Sequence, residues 1–236
     1  ALVFVPIAVF MMYAVGINWR PLAMLAGMCL IVVMFVFAAL FLPAKLGADE
    51  QTQQKYAKLL PLREHQVERI RSFVDPEMDK HGGGWSKIQI EIAIGSGGLV
   101  GNVKDEATQT KMKFLPSASS DFIFAYVTER FGFIGAFLLI ALYAAIILHL
   151  LSLSTYSSDM YIKVVAAGIS LMIFIYMSVN IAMTMGLAPV VGVPLPMFSY
   201  GGSSFVNFMI LFAILQNLLT FRFQEMYTGR GKKSFV

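Results

Sequence analysis

Gly192-Val193-Pro194-Leu195-Pro196-Met197-Phe198-Ser199-Tyr200-Gly201-Gly202-Ser203-Ser204 stands inside residues 164–221, a run of 58 positions without a charged side chain. A span needs about 20 apolar residues to cross a hydrocarbon core ~30 Å thick. The run is therefore too long for one crossing and suits two. Gly186, Pro189, Gly192, Pro194, Pro196, Gly201 and Gly202 mark the break between them. Backbone so punctuated cannot be lipid-exposed helix, because unpaired N–H and C=O groups are costly in hydrocarbon. It is tolerated where it is buried or lines a cavity. The prediction is two spans joined by a re-entrant-type loop over residues 186–204.

The same test applied outward finds residues 21–44, which are 24 positions without a charge, and residues 131–158, which are 28 with His149 as their one ionisable side chain. Residues 1–15 add a shorter apolar run. Ala1 opens directly into that run, without an initiator Met or a basic leader. This predicts a helix cut through its middle, in a chain that lacks an N-terminal part. The count is five spans. Composition agrees: 58% of the 236 residues are hydrophobic and 14% charged, with mean hydropathy +0.72, where soluble domains carry about 25% charged residues. The net charge of +4 comes from scattered basic residues, which gives no stripe for nucleic acid. Cys29 is alone, so no disulfide forms within the chain, and His65, His81 and His149 are too far apart in sequence to suggest a metal site.

Orientation follows from the short connectors. Arg20, Lys163 and the tail residues Arg222, Arg230, Lys232 and Lys233 fall on one side, while residues 186–204 carry no Lys or Arg. The positive-inside rule then puts the tail, residues 222–236, in the cytoplasm and residues 45–121 and 186–204 outside it. The chain divides into two spans (1–44), a long extracytoplasmic loop (45–121), and three spans with the 186–204 loop and tail (122–236). Within the long loop, residues 55–74 place Leu59, Leu60, Leu62, Val67, Ile70 and Phe73 on one helical face, ended by Asp75-Pro76. Such a helix suits a membrane interface. Ile88-Gln89-Ile90-Glu91-Ile92 reads as a short strand or a helical turn. The fold class is an all-α polytopic membrane protein with a long, partly helical extracytoplasmic loop.

Chemistry has three candidate locations. Asp121 stands where polar loop becomes apolar span. With Ser119 and Ser120 it is a good N-cap residue, which is the structural reading; partial desolvation would instead raise its pKa and suit it to accept a proton. Gly95-Ser96-Gly97-Gly98 with Gly101 lacks the Lys-Ser/Thr of a phosphate loop, so it reads as a turn bringing backbone close to something. In residues 192–204, Ser199, Gly201, Gly202 and Ser203 serve either loop packing or contact with an anionic head group.

Asp75-Pro76-Glu77, Ile92-Ala93-Ile94-Gly95-Ser96-Gly97-Gly98-Leu99, Phe114-Leu115-Pro116, Asp121-Phe122-Ile123-Phe124-Ala125 and residues 192–204 follow one another in the order seen in the shape, elongation, division and sporulation family. The chain resembles the RodA/FtsW type of peptidoglycan glycosyltransferase, and its Gly192-Val193-Pro194-Leu195-Pro196 wording is more like the elongation branch. The resemblance runs from Trp19 to about Leu219 and implies the second half, spans six to ten, of a ten-helix bundle. The family's Gln-Pro-Asp-Leu-Gly-Thr motif would then lie upstream of Ala1. Departures are specific. Ser117-Ala118-Ser119-Ser120 stands where the family reads Glu-x-His-Thr before Asp121, Asn102-Val103-Lys104-Asp105-Glu106-Ala107 replaces a Gly-rich stretch, and Arg130 follows Glu129 where a second Glu is usual.

By resemblance, the reaction is polymerisation of lipid II at the outer face of the bacterial cytoplasmic membrane during elongation and shape maintenance. An acceptor sugar's 4-hydroxyl attacks the anomeric carbon of a lipid-linked donor, and undecaprenyl pyrophosphate leaves. Asp121 is the candidate catalytic base. Gln89 and Gln109 are candidate substrate contacts in the loop, and Ser199, Gly201, Gly202 and Ser203 are candidates at the head group. No cofactor is identified; a divalent cation is compatible with a diphosphate leaving group, though no ligand cluster is visible. Expected partners are lipid II, the lipid-linked glycan strand, membrane lipids and a class B penicillin-binding protein. The alternatives are a lipid II flippase, which would want polar groups through the depth of the spans beyond Asn180 and Asn217, and a non-catalytic scaffold of the synthesis complex.

Overall fold

The computed structural model describes residues 4–14, 83–101, 120–157 and 159–228, with isolated positions at 27, 31, 34 and 69. The element order is α1 (Phe4–Ala14), α2 (Gly83–Ser96), α3 (Ile123–Tyr156), α4 (Met160–Thr184) and α5 (Gly202–Thr228). All regular structure among the described residues is helical. Three of these helices are long and apolar enough to cross a membrane: Ile123–Tyr156, Met160–Thr184 and Gly202–Thr220. At 25 residues, α4 is about 37 Å long, which exceeds the ~30 Å core. The expected span over residues 21–44 and the amphipathic helix over 55–74 lie outside the described residues, apart from those isolated positions.

α3 and α4 form a tight antiparallel hairpin. Asp159 caps α4 by accepting a hydrogen bond from the Tyr161 N–H at 2.9 Å, so the connector shrinks from the expected residues 154–163 to 157–159. Tyr143, Ile147 and Leu150 of α3 meet Ile162, Ala166, Ile169 and Ile173 of α4 in one buried seam, closed by Leu195, Phe208 and Leu215. Ala166, Ala167 and Gly168 keep the helix surface low, which lets neighbouring backbones approach. Gly168 receives Met11 of α1, whose sulfur stands where a Cβ would be. Dispersion across such a seam decides packing, since an interhelical hydrogen bond in lipid contributes about 0.6 kcal/mol on average.

One open reading is decided and two expectations are adjusted. The Ile88–Ile92 alternation is helical and forms part of α2, because Gln89, Ile90 and Ala93 are buried together on its inner side while Ile88 and Ile92 stay exposed. The helix that carries the third uncharged run reaches further back than residue 131: α3 starts at Ile123, just after Asp121, and is broken at Gly132, with φ 66° and ψ −163°. The break removes helical partners from the amides that follow, and two of them are satisfied by the turn after α2. Phe133 N donates to Gly98 O at 2.9 Å and Ile134 N to Leu99 O at 3.2 Å. Last, α5 continues through residue 228, so the first part of the tail 222–236 is helical.

Candidate functional site

The start of α3 is fixed by an aromatic side chain. Phe122 occupies the N-cap position without a side-chain cap bond, and it is buried with Ile90 and Ala93 of α2 and with Ala125. Phe122 therefore anchors the turn, and the N-cap position falls to it and not to Asp121. On its other side the Asp121 carbonyl accepts a hydrogen bond from Asn180 Nδ2 at 2.9 Å. The same nitrogen donates to Val193 O at 2.7 Å. Asn180 is fully buried in α4, so one side chain ties the entry to α3 to the irregular segment between α4 and α5.

That segment is held by internal bonds. Leu195 drives into the α3–α4 core, and its N–H donates to Ser199 Oγ at 2.7 Å. The Tyr143 hydroxyl donates to the Pro196 carbonyl. Gly192 then approaches Asp121 closely. It has φ 72°, and a Cβ there would lie 3.1 Å from Asp121 Oδ2 and 4.0 Å from an Arg69 guanidinium nitrogen. Arg69 also donates to Val191 O at 3.1 Å. Burial raises the Asp121 carboxyl above its ordinary value, and the Arg69 guanidinium lowers it in part. Desolvation is the larger influence. The outcome is a half-buried carboxylate, restrained through its backbone, with a cation close by and a wall lacking a side chain at Gly192.

The other candidates occupy different settings. Ser199 is buried as a brace for Leu195. Gly201 is partly buried, and Gly202 and Ser203 are exposed at the start of α5. Gln89 is buried on α2, whose Ile90 and Ala93 share a cluster with Phe122 and Val190; it is thereby linked to the site through packing. Gln109 lies outside the described residues. No three His, Cys, Asp or Glu side chains come together among the described residues. Arg69 and Gly192 were not singled out by residue pattern: Arg69 is one charge among many in an amphipathic stretch, and Gly192 is one glycine in a rich segment. Asn180 did carry a signal, as a polar group within an apolar run that must find partners.

Comparison with known proteins identifies the family. The FtsW/RodA/SpoVE cell cycle protein model matches residues 1–224. The chain is 57% identical over 175 residues to the peptidoglycan glycosyltransferase MrdB of Helicobacter pylori strain J99, covering 74% of this chain and 44% of that protein. It is 37% identical over 213 residues to the peptidoglycan glycosyltransferase MrdB of Escherichia coli K12, covering 90% and 52%. A solved chain from work on structural coordination of polymerization and crosslinking by a peptidoglycan synthase complex superposes with a TM-score of 0.57 at 25% identity, covering 89% of this chain and 52% of that one. The chain spans about half the length of the curated relatives it matches. With the matched region covering nearly all of its residues, the chain belongs to the FtsW/RodA/SpoVE family of cell cycle proteins.

Proposed function

We propose that this chain forms part of a peptidoglycan glycosyltransferase that polymerises lipid II in the elongation machinery, with Asp121 as its base. The single observation carrying this reading is the Asp121 carboxylate. It is half-buried, its pKa is raised, and it stands at the start of an apolar helix. A general base must be ionised at working pH and still bind a proton well, and raising a carboxylate by desolvation moves it toward that balance. It removes the proton from the acceptor 4-hydroxyl as that oxygen bonds to the donor's anomeric carbon, and the diphosphate departs with the electron pair of the broken bond. The glycosyltransferase names of the MrdB relatives support the same activity.

In this proposal the chain supplies five spans of a ten-helix bundle in the bacterial cytoplasmic membrane, with residues 45–121 and 186–204 outside and the tail 222–236 in the cytoplasm. Asp121 then faces the outer leaflet at head-group depth. Gly201, Gly202 and Ser203 contact the donor's anionic head group, since the first N–H groups of a helix lack intrahelical partners and suit anions. Gln89 and Gln109 make polar contacts in the loop, and Ser199 shapes the segment. A class B penicillin-binding protein is the crosslinking partner; the superposition on a chain of a peptidoglycan synthase complex supports this.

The test uses the complete ten-span protein, purified with its transpeptidase and given labelled lipid II. Wild type is expected to make polymer, and Asp121→Asn to lose at least about 100-fold in rate at unchanged folding and partner binding. Equal polymer from both would remove Asp121 as the base. No polymer from wild type would move the assignment to lipid transport or scaffolding.

A further inference from the structure

Asn180 is an expensive residue at a buried place. Its side chain is fully enclosed, and its Oδ1 has no hydrogen-bond partner among the described residues. An apolar residue of similar size would avoid leaving a buried acceptor unmatched. What Asn180 offers instead is two donors on one nitrogen, and both are used. One reaches the Asp121 carbonyl at 2.9 Å and the other the Val193 carbonyl at 2.7 Å. The orientation is fixed by this pattern, because a flipped amide would set Oδ1 against two carbonyl oxygens.

Resting on the glycosyltransferase reading above, we infer that Asn180 is a positioning residue: its amide sets the Asp121 carboxylate against the Gly192 wall by holding the peptides beside both. Asp121 Oδ2 lies 3.1 Å from the point where Gly192 would carry a Cβ, and Gly192 immediately precedes Val193. Both sides of that gap hang from one nitrogen. Asn180 does not touch substrate in this scheme, so its loss acts on the chemical step and spares binding. Thr184, in the last turn of α4, donates to the Asn180 and Ile181 carbonyls at 2.9 and 2.8 Å.

The experiment uses the complete protein with its transpeptidase. Asn180→Leu keeps the size and removes both donors. The turnover rate is expected to fall about 100-fold, as for a misplaced catalytic group, with KM for lipid II changed less than about threefold. A second readout needs no turnover: the rate at which a water-soluble carbodiimide and an amine modify Asp121, located by mass spectrometry. Asn180→Leu is expected to accelerate it several-fold, because the carboxylate is released toward water. Unchanged turnover and unchanged labelling would overturn the inference, as would a loss confined to KM. Faster labelling with no wild-type polymer would sink the glycosyltransferase reading and leave the positioning role standing. Should the leucine variant fail to fold, Asn180→Asp decides. Its carboxyl, kept neutral by burial against two carbonyls, carries one donor where the amide carries two, so turnover is expected to fall with KM for lipid II changed less than about threefold, and wild-type turnover would overturn the inference.

Discussion

Residues 95–101 and 192–202 are both glycine-rich segments beside a helix end, and they differ in what their glycines face. In the first, a Cβ on Gly97 would collide with the Thr128 carbonyl and one on Gly101 with the Arg130 carbonyl. The absent side chains allow backbone to lie on backbone, where the 98 and 99 carbonyls accept the amides left open by the Gly132 break. In the second, the absent side chain of Gly192 faces a carboxylate and a guanidinium. A glycine that meets backbone secures the fold, and a glycine that meets titratable groups shapes a site. Composition alone does not separate the two.

The largest effect expected from this contrast is on folding. Gly101 has φ 82°, and a Cβ there meets Arg130 and Gly132 backbone, which cannot rotate aside. Gly101→Ala should cost about 2–4 kcal/mol, combining left-handed strain with overpacking. The measurement is thermal unfolding in detergent. A variant as stable as wild type would mean that the docking of residues 98–101 on α3 is not a fold determinant.

The next effect is on rate. Gly192→Ala brings a methyl group 3.1 Å from Asp121 Oδ2 at a backbone φ of 72°. The carboxylate can yield by a few tenths of an ångström, so stability should fall by only about 1–2 kcal/mol, while turnover falls about 10- to 100-fold through misplacement of the base. Gly95→Ala is the matched control, because nothing lies within 4 Å of its Cβ position; both quantities should stay near wild type. Reversal of the pattern, with Gly101→Ala inactive but stable and Gly192→Ala unfolded, would invert the roles assigned to the two segments.

Much of this molecule was legible in the sequence because lipid imposes a simple rule on the backbone. The uncharged runs located α3, α4 and α5 with ends displaced by up to eight residues, the cluster of Pro and Gly located the irregular segment, and the polar-to-apolar boundary located the start of α3 beside Asp121. What was not legible depended on tertiary neighbours. The Ile88–Ile92 alternation mimics a strand, but burial of Gln89, Ile90, Ala93 and Gly97 follows a helical period. Gly132 is an ordinary glycine in an apolar run until its break is seen against Gly98 and Leu99. The N-cap position falls to Phe122, buried against α2, and not to Asp121. The Asn180 bond spans 59 residues and the Arg69 bond 122, and no local pattern reports contacts at such separations.

The finest test of the contrast compares the arginines beside the two segments. Arg69 stands by Gly192 and Asp121, while Arg130 is exposed beside Gly101 and donates to the Tyr126 hydroxyl at 3.1 Å. In the proposed role Asp121 is a base only when ionised, so the rate should fall as pH drops through its pKa. Burial has raised that pKa above 3.8, with Arg69 opposing. Arg69→Gln removes the opposing influence, so the acid limb of the pH–rate profile should move to higher pH; Arg130→Gln should leave it in place. Stability carries the opposite sign. Between 3.8 and the raised value the folded protein holds the Asp121 proton and the unfolded chain does not, so stability falls as pH rises through that window. Arg69→Gln widens the window upward. An acid limb that stays still or moves down in Arg69→Gln would show that the cation does not act on the carboxylate, and Gly192 would then resemble the glycines of the first segment more than the present geometry implies.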